Sequence, residues 1–233
     1  MADSPRTRLD AIYRDPSFVD RPLYPVTDAA RALRLPQSTV DWWVRGRDHY
    51  RPVVELADPA DRLLSFRNLC EVWVLQSLRR KHRVSLPSIR QAIDEIRERT
   101  GYEHPLVQQE LLTDGRSVLY ERFGDLIDAS RGGQGVFEVA RPFLDRVEWD
   151  ADQLARLFPV ATSDLQHDAR RIVIDPRRAF GHPCLFSNGT PVEVFLPRFH
   201  AGESISALAE EFGCTPDEVQ DAIRFQTGQS LAA

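Results

Sequence analysis

The sequence predicts a mainly α protein with short strands, an α+β fold with an N-terminal winged helix-turn-helix and a small C-terminal domain of strands and a second helix-turn-helix. Two observations predict this class: apolar residues recur at helical spacing in two pairs of short segments, and short β-branched runs lie between turn residues. With 233 residues, the chain can form two small domains or one large one. The expected parts are an N-terminal arm (1–21), the winged helix-turn-helix domain (22–101), a mixed α/β connecting region (102–170) and the C-terminal domain (171–233).

The first helix-turn-helix is predicted from two short helices around Leu35-Pro36. Thr27 is a suitable N-cap for the first helix, whose apolar positions are Ala29, Ala30 and Leu33. Ser38 can cap the second, and Gly46 ends it. Its inward face consists of Val40, Trp43 and Val44.

A β-hairpin wing and two longer helices are expected next. Residues 51–56 and 64–66 are extended in character and flank the turn-rich segment 58–61, which predicts the hairpin. An amphipathic helix follows, with apolar positions from Leu69 to Leu78 and its end in the basic cluster Arg79-Arg80-Lys81, and another opens at Pro87 and stops at Gly101.

The connecting region has weaker signals. Residues 118–120 and 143–149 are strand-like, and the glycine-rich segment 131–135 is either a surface turn or a phosphate cradle. The segment lacks the lysine and hydroxyl residues of a P-loop, which favours a turn.

The C-terminal domain begins with a strand at residues 171–174 and continues through short strands and turns. Ser204 caps a helix that Gly213 ends, and Thr215-Pro216-Asp217-Glu218 has the pattern of a capping box with proline at the first helical position. Val219, Ala222 and Ile223 mark the helix that follows, so a second helix-turn-helix is predicted.

Charge is divided unevenly along the chain. The net charge is −5, but residues 1–100 carry +4 and residues 101–233 carry −9. A basic surface suits a polyanion, whereas the acidic helices of the C-terminal unit would repel a phosphate backbone. We therefore expect DNA at the second helix of the first unit and the wing; the candidate contacts are Gln37, Ser38, Thr39, Trp42, Arg45, Arg47 and Arg51.

Cysteine usage and the absence of long apolar runs argue against disulfide-rich, metal-binding, secreted and membrane proteins. Cys70, Cys184 and Cys214 are far apart and odd in number, which predicts neither a disulfide framework nor a metal site. Residues 1–22 lack the apolar core of a secretory signal, and no run approaches the roughly 20 apolar residues of a membrane span. We expect a cytoplasmic protein with no membrane partner, no cofactor and no metal.

No catalytic site is predicted. The segment Gly181-His182-Pro183-Cys184 could supply a metal pair or a nucleophile with its base, but His200 and Cys214 have no ligand-like spacing to it. A structural turn is therefore favoured, and we expect a protein that is not an enzyme.

The N-terminal domain resembles the DNA-binding domain of MerR-type regulators over roughly residues 22–100. The resemblance is carried by Thr39-Val40-Asp41-Trp42-Trp43 after Leu35-Pro36, followed by the wing and by Leu86-Pro87-Ser88-Ile89-Arg90. Asp41 stands where that family usually has an arginine, and Trp42-Trp43 replace its usual tyrosine pair.

The C-terminal domain resembles a small bacterial domain of unknown function typical of antitoxins. The matching segments are Ile174-Asp175-Pro176, Phe180-Gly181-His182-Pro183, Gly189-Thr190-Pro191-Val192, Ala201-Gly202-Glu203-Ser204-Ile205 and Leu208-Ala209-Glu210-Glu211-Phe212-Gly213. Together with the MerR-like domain, this tail resembles a VapB-type antitoxin of mycobacteria. The resemblance implies a protein that binds and silences a cognate PIN-type ribonuclease toxin and represses its own operon.

Candidate toxin contacts follow from the pairing of an arginine with an aromatic residue, a plausible interface anchor. Two such pairs are present, Arg198 with Phe199 and Arg224 with Phe225. A homodimer is expected, because a reader with one recognition helix contacts two half-sites as a dimer. Its interface would lie between Leu69 and Ile96 or in the C-terminal unit.

Two alternatives remain open at this point. The first is a ligand-responsive MerR-like regulator whose effector pocket is lined by Phe123, Phe137 and Trp149. The second is a protein-binding adaptor whose helix-turn-helix no longer contacts DNA.

Overall fold

The computed structural model describes residues 15–46, 50–82, 85–108, 143–150, 153–160 and 169–227. The strand-like segment 118–120 and the glycine-rich segment 131–135 lie outside these ranges.

Helices dominate the described residues, and every strand pair is short and antiparallel, which confirms the predicted α+β class. The helices are α1 (Val26–Ala32), α2 (Gln37–Arg45), α3 (Phe66–His82), α4 (Leu86–Thr100), α5 (Phe195–His200), α6 (Ile205–Phe212) and α7 (Pro216–Thr227). The strands are β1 (Tyr24–Pro25), β2 (Leu63–Leu64), β3 (Val147–Asp150), β4 (Gln153–Leu157), β5 (Ile172–Val173) and β6 (Cys184–Leu185). Short 3₁₀ turns occur at Pro16–Asp20, Pro105–Val107, Ala179–Gly181 and Val192–Val194.

Both helices of the first predicted helix-turn-helix are present, but each begins earlier than expected. Pro25 and Pro36 occupy the N-cap positions, and neither helix start has a side-chain cap, so Thr27 and Ser38 lie within the first turns. Proline fixes the backbone angle before each helix but offers no side-chain acceptor; at α2 the Pro36 carbonyl accepts from the N–H groups of Thr39 and Val40 at 2.9 and 3.3 Å. The predicted inward face of α2 is buried, and Gly46 ends the helix with φ +71°.

The strand pairing around the wing differs from the expected hairpin. β2 pairs with β1, the strand just before α1, while Phe66 already belongs to α3. Residues 51–56 instead pack onto the end of α2, where the N–H groups of Val53 and Val54 donate to the carbonyl of Trp43. A bridge between Asp58 and Leu63 closes the turn between them. Both valines are buried, so this segment gains more from packing on Trp43 than from strand pairing.

α3 is the central helix of the fold and is buried on nearly all sides. The sequence predicts an amphipathic helix here, yet Asn68, Glu71, Gln76 and Ser77 are buried together with its apolar residues. Segments distant in sequence enclose the helix: the indole N–H of Trp73 donates to the carbonyl of Phe143 at 2.9 Å, and His104 Nδ1 lies 3.2 Å from the Glu71 carboxylate.

The described part of the connecting region joins the N-terminal core. Residues 143–144 are helical and only Val147–Asp150 of the expected strand is extended, paired with β4. Leu106, Leu144 and Leu157 belong to the same apolar cluster as the residues of α1 to α4.

The C-terminal domain has a core of its own between β5–β6 and α5 to α7. Both ends of α6 are where the sequence predicts them: Ser204 caps its start, and Gly213 ends it in the left-handed conformation. Thr215 and Glu218 form the expected capping box, in which the Thr215 N–H donates to Glu218 and the Glu218 N–H donates back to the Thr215 hydroxyl.

The two parts of the chain meet along a seam. Leu157 of β4 and Ile174 exchange two backbone hydrogen bonds of 2.9 and 2.8 Å. Beside them, Gly181 lies against the Tyr24 ring of β1 so closely that a Cβ on the glycine would come within 2.4 Å of the tyrosine oxygen.

Candidate functional site

One face of α2 is exposed and carries most of the predicted DNA contacts. Gln37, Ser38 and Arg45 are exposed, Thr39 is half-buried, and Trp42 is 40% exposed, an unusual level for so large an aromatic side chain. The opposite face packs into the core, so α2 is fixed with these side chains directed outwards. Arg47 lies outside the described residues.

Asp41 holds two arginines on this face. Its carboxylate accepts from Arg45 at 3.1 Å and forms a short ion pair with Arg62 in the turn before β2. Arg62 is in the left-handed region at φ +58°. Helical spacing does not indicate Arg62, because it lies 21 residues from Asp41 and in no helical register with it.

The backbone of residues 50–52 lies against the end of α2 at Gly46. A Cβ on Gly46 would lie 2.2 Å from the carbonyl oxygen of Tyr50, so this close approach requires glycine. Arg90 of α4 then fixes the backbone at Arg51 by donating to its carbonyl oxygen at 2.9 Å, while its guanidinium lies 5.2 Å from the Tyr50 ring centre. The Arg51 side chain itself is exposed.

A wide polar cleft of about 1190 Å³ opens behind residues 51–57, between α3, α4 and residues 101–108. At its base the buried Glu71 carboxylate accepts from Asn68 at 3.1 Å and contacts the His104 ring nitrogen Nδ1 at 3.2 Å. Burial lowers the His104 pKa, but the hydrogen bond and charge of Glu71 outweigh it, and the net pKa is raised. Arg67 pairs with Asp20 at the rim.

In the first candidate toxin pair, Arg198 forms ion pairs within the chain and Phe199 is exposed. Arg198 donates to Glu203 and Glu211 and lies 5.2 Å above the Phe212 ring, and these two carboxylates raise its pKa. Phe199 is 39% exposed.

The second candidate pair lies mostly within the domain. Phe225 is 5% exposed and belongs to the core, and Arg224 pairs with Asp221 at 3.2 Å. Arg171 also binds Asp221, at 2.7 Å.

Another aromatic residue, which is not among the predicted DNA or toxin contacts, is far more exposed than Phe199. Phe180 is 84% exposed and sits in the 3₁₀ turn between β5 and β6. Its φ and ψ of 54° and 29° are left-handed, and Ala179 before it has φ +46°. No sequence signal indicates this conformation, because left-handed positions are usually read from glycine or asparagine.

Of the features considered for enzyme chemistry, Cys184 lies inside the C-terminal domain. Cys184 is buried in β6, and burial raises the pKa of its thiol, which keeps it protonated and unreactive. Within the described ranges no group of three His, Cys, Asp or Glu side chains is arranged to hold a metal ion. None of the helices in those ranges is long and apolar enough to cross a bilayer.

Comparison with known proteins places these features in a family. Residues 172–225 match the family described as "Protein of unknown function (DUF433)". The chain is 25% identical to the uncharacterized protein Rv2308 of Mycobacterium tuberculosis over 93% of this chain and 94% of that protein. It also matches the crystal structure of Rv2018 from Mycobacterium tuberculosis with a TM-score of 0.68 and 28% identity, covering 87% of this chain and 98% of that one.

A third relative has a name that describes a role. The protein named "Putative antitoxin VapB45" of Mycobacterium tuberculosis is 32% identical over 88% of this chain and 93% of its own length. The match spans both the helical N-terminal part and the DUF433 domain, so it concerns the whole architecture. The chain belongs to the family of this VapB-type protein.

Proposed function

We propose that this protein is an antitoxin that binds and neutralises a cognate PIN-type ribonuclease toxin and represses its own operon. The observation that carries the proposal is the similarity over nearly the full length to a relative named as an antitoxin. In this role the protein acts by binding in the cytoplasm and catalyses no reaction.

The DNA-binding half of the proposal is supported by the exposed face of α2. Trp42 and Arg45 project from a helix whose other side is anchored in the core, and the backbone at Arg51 lies against Gly46 at the end of this helix. Asp41 cancels part of the positive charge, so the contacts with phosphate depend on the arginines around it. We assign Gln37, Ser38, Thr39, Trp42, Arg45, Arg47 and Arg51 to the operator interface.

The toxin-binding half of the proposal concerns the C-terminal domain. Of the residues assigned to toxin contact (Arg198, Phe199, Arg224 and Phe225), Phe199 offers the exposed apolar surface, whereas Phe225 supports it from the core. Arg198 is oriented by Glu203 and Glu211 and can exchange these partners for carboxylates of a toxin.

A homodimer on the operator completes the proposal, since two half-sites require two copies of α2. α3 is enclosed by contacts within the chain, which leaves α4 or the C-terminal unit as the dimer surface. A monomeric mass in solution and on operator DNA would contradict the dimer.

The decisive experiment is co-purification with the product of the neighbouring gene, followed by a ribonuclease assay of that product alone and in the complex. A stable complex with suppressed cleavage supports the antitoxin role. No complex, or an unaffected nuclease, contradicts it.

DNA binding is tested separately with a fragment of the chain's own promoter. The Arg45→Ala and Arg47→Ala double variant is expected to weaken binding and flatten its salt dependence, because two phosphate contacts are lost. Nuclease binding by the same variant serves as the control and should be unchanged. Equal DNA affinity of the variant and the native chain would move the DNA surface elsewhere.

The polar cleft favours a second candidate, a ligand-responsive MerR-like regulator without a toxin partner. Arg51 lies on the cleft rim, so an occupant could alter the wing segment that the cleft borders. Trp149, one of the residues expected to line an effector pocket, packs against the N-terminal core; Phe123 and Phe137 lie outside the described residues. A neighbouring transporter or catabolic gene in place of a nuclease gene would favour this candidate.

A further inference from the structure

The turn between β5 and β6 displays Phe180 to solvent on a strained backbone. Two consecutive residues other than glycine, Ala179 and Phe180, are left-handed there, and Gly181 continues with φ +80°. Such conformations persist only where surrounding contacts impose them, and they concentrate at functional positions. The Ala179 side chain packs against a small core of Phe158, Val173 and Cys184, while Phe180 faces outwards.

The contacts that impose this conformation come from both sides of the turn. The N–H groups of Gly181 and His182 donate to the carbonyls of Arg178 and Ala179 at 2.8 and 2.9 Å. Gly181 is also pressed against the Tyr24 ring of β1. A residue whose backbone is already fixed in the free protein loses little backbone entropy when a partner binds its side chain.

Arg178, at the start of this turn, contacts a second exposed aromatic residue, Phe186. The Arg178 guanidinium donates to the carbonyl of Phe186 at 3.0 Å and lies 6.0 Å from the Phe186 ring centre. Among the described residues no carboxylate pairs with Arg178. Phe186 is itself 42% exposed, and Arg156 lies 5.8 Å from its ring centre on the same patch. Arg178 thus connects the turn that carries Phe180 with the Phe186 ring, and we call this region the Phe180 patch (Arg156, Arg178, Phe180 and Phe186). Arg156 also pairs with Glu148 at 3.7 Å.

Charge indicates which kind of macromolecule the patch suits. Residues 171–233 carry five arginines against eight acidic residues, so the domain as a whole repels a polyanion. Local positive charge on an acidic domain instead favours, as the binding partner, a protein surface with a few carboxylates around an apolar pocket. Trp, Tyr, Phe and Arg are enriched in protein interfaces, where a few well-buried side chains supply most of the binding energy.

We propose that Phe180 is the anchor by which the protein docks on its partner, inserted into an apolar pocket of the toxin whose rim carboxylates pair with Arg178. This inference rests on the antitoxin role proposed above and names the surface that performs it. The patch is distinct from the Arg198–Phe199 surface on α5.

The test measures the affinity of the full chain for the purified product of the neighbouring nuclease gene, at low and high salt. Phe180→Ala is expected to weaken binding at least about tenfold, as for an interface anchor. Because Phe180 makes few contacts within the chain, the variant should remain folded, which its circular dichroism spectrum checks. Arg178→Gln should weaken binding at low salt and reduce the salt dependence.

Tyr50→Ala is the matched control, since Tyr50 is an aromatic of 58% exposure in the N-terminal part and should leave nuclease binding unchanged. Phe199→Ala is compared in the same assay, and a loss of nuclease affinity confined to this variant would overturn the proposal in favour of α5.

Native affinity for the nuclease in Phe180→Ala would overturn the docking proposal while the antitoxin role stands. No binding by the native chain would contradict the antitoxin role and the docking proposal with it. If Phe180→Ala weakens binding to single-stranded RNA but not to the nuclease, the patch binds nucleic acid and the protein-docking assignment is wrong.

Discussion

The left-handed backbone at Phe180 reverses the usual order of glycine and alanine in stability. At an exposed helical position, alanine is more stable than glycine by about 1 kcal/mol. At a left-handed position, a residue with a Cβ carries about 1–2 kcal/mol of strain that glycine does not, while glycine costs about 0.5–1 kcal/mol in unfolded-chain entropy. Phe180→Gly should therefore be more stable than Phe180→Ala by about 0.5–1 kcal/mol.

The native phenylalanine adds little to this comparison. With 84% of its surface exposed, its burial contributes at most about 0.5 kcal/mol, given about 1.5–3 kcal/mol for a fully buried side chain. Phe180→Gly should consequently unfold at or slightly above the native midpoint, and Phe180→Ala slightly below it, while both lose partner binding. The strained backbone that displays this ring therefore lowers the free energy of unfolding.

The assay is urea unfolding of the native chain and both variants, with equal m-values as evidence that the unfolded state has not changed. Gln220, exposed within α7, is the matched helical site, where Gln220→Ala should be more stable than Gln220→Gly. If alanine were the more stable residue at both positions, the strain at Phe180 and the reasoning from it would be refuted.

Further predictions concern the remaining features. Asp41→Asn frees Arg45 and Arg62 from their carboxylate, so operator affinity should rise and its salt dependence should steepen in a gel-shift titration; an unchanged slope would contradict this. Because Glu71 raises the pKa of His104 above 6.5, the pair contributes stability that is fully present below that pH and is lost as pH rises through the raised pKa, a loss that should disappear in Glu71→Gln. Unfolding free energies measured between about pH 6 and 8 check this sign. Thr215→Ala removes one half of the capping box and should cost about 1 kcal/mol in urea unfolding, with Ser206→Ala, an exposed site in α6, as a near-neutral control.

Local signals predicted several helix ends, although not the starts of α1 and α2, where proline occupies the N-cap in place of Thr27 and Ser38. The capping box at Thr215 and the stops at Gly46 and Gly213 are formed by residues adjacent in sequence, and the structure contains each of them. Likewise, the inward positions of α2 follow from helical periodicity alone.

Features that depend on distant partners could not be predicted in this way. Periodicity marks only one face of α3 as apolar, and the buried polar residue Glu71 is contacted by His104, which is 33 residues away in sequence. The pairing of β2 with β1 rather than with residues 51–56 is likewise decided by tertiary packing. For the candidate site, helical spacing on α2 identified the exposed face but not Arg62. The residues that flank Phe180 in the sequence do not indicate a left-handed turn.

The seam between the two parts of the chain bears on how such proteins can recombine. Ile174 lies inside the segment that matches DUF433, yet it completes the β4 hydrogen bonds and belongs to the N-terminal core. Gly181 in the same segment accommodates Tyr24 from the start of the N-terminal domain. A domain exchanged between relatives at residue 171 would therefore carry away part of the other domain's interior, and a viable chimera needs Tyr24 and Leu157 from the same parent as its C-terminal domain.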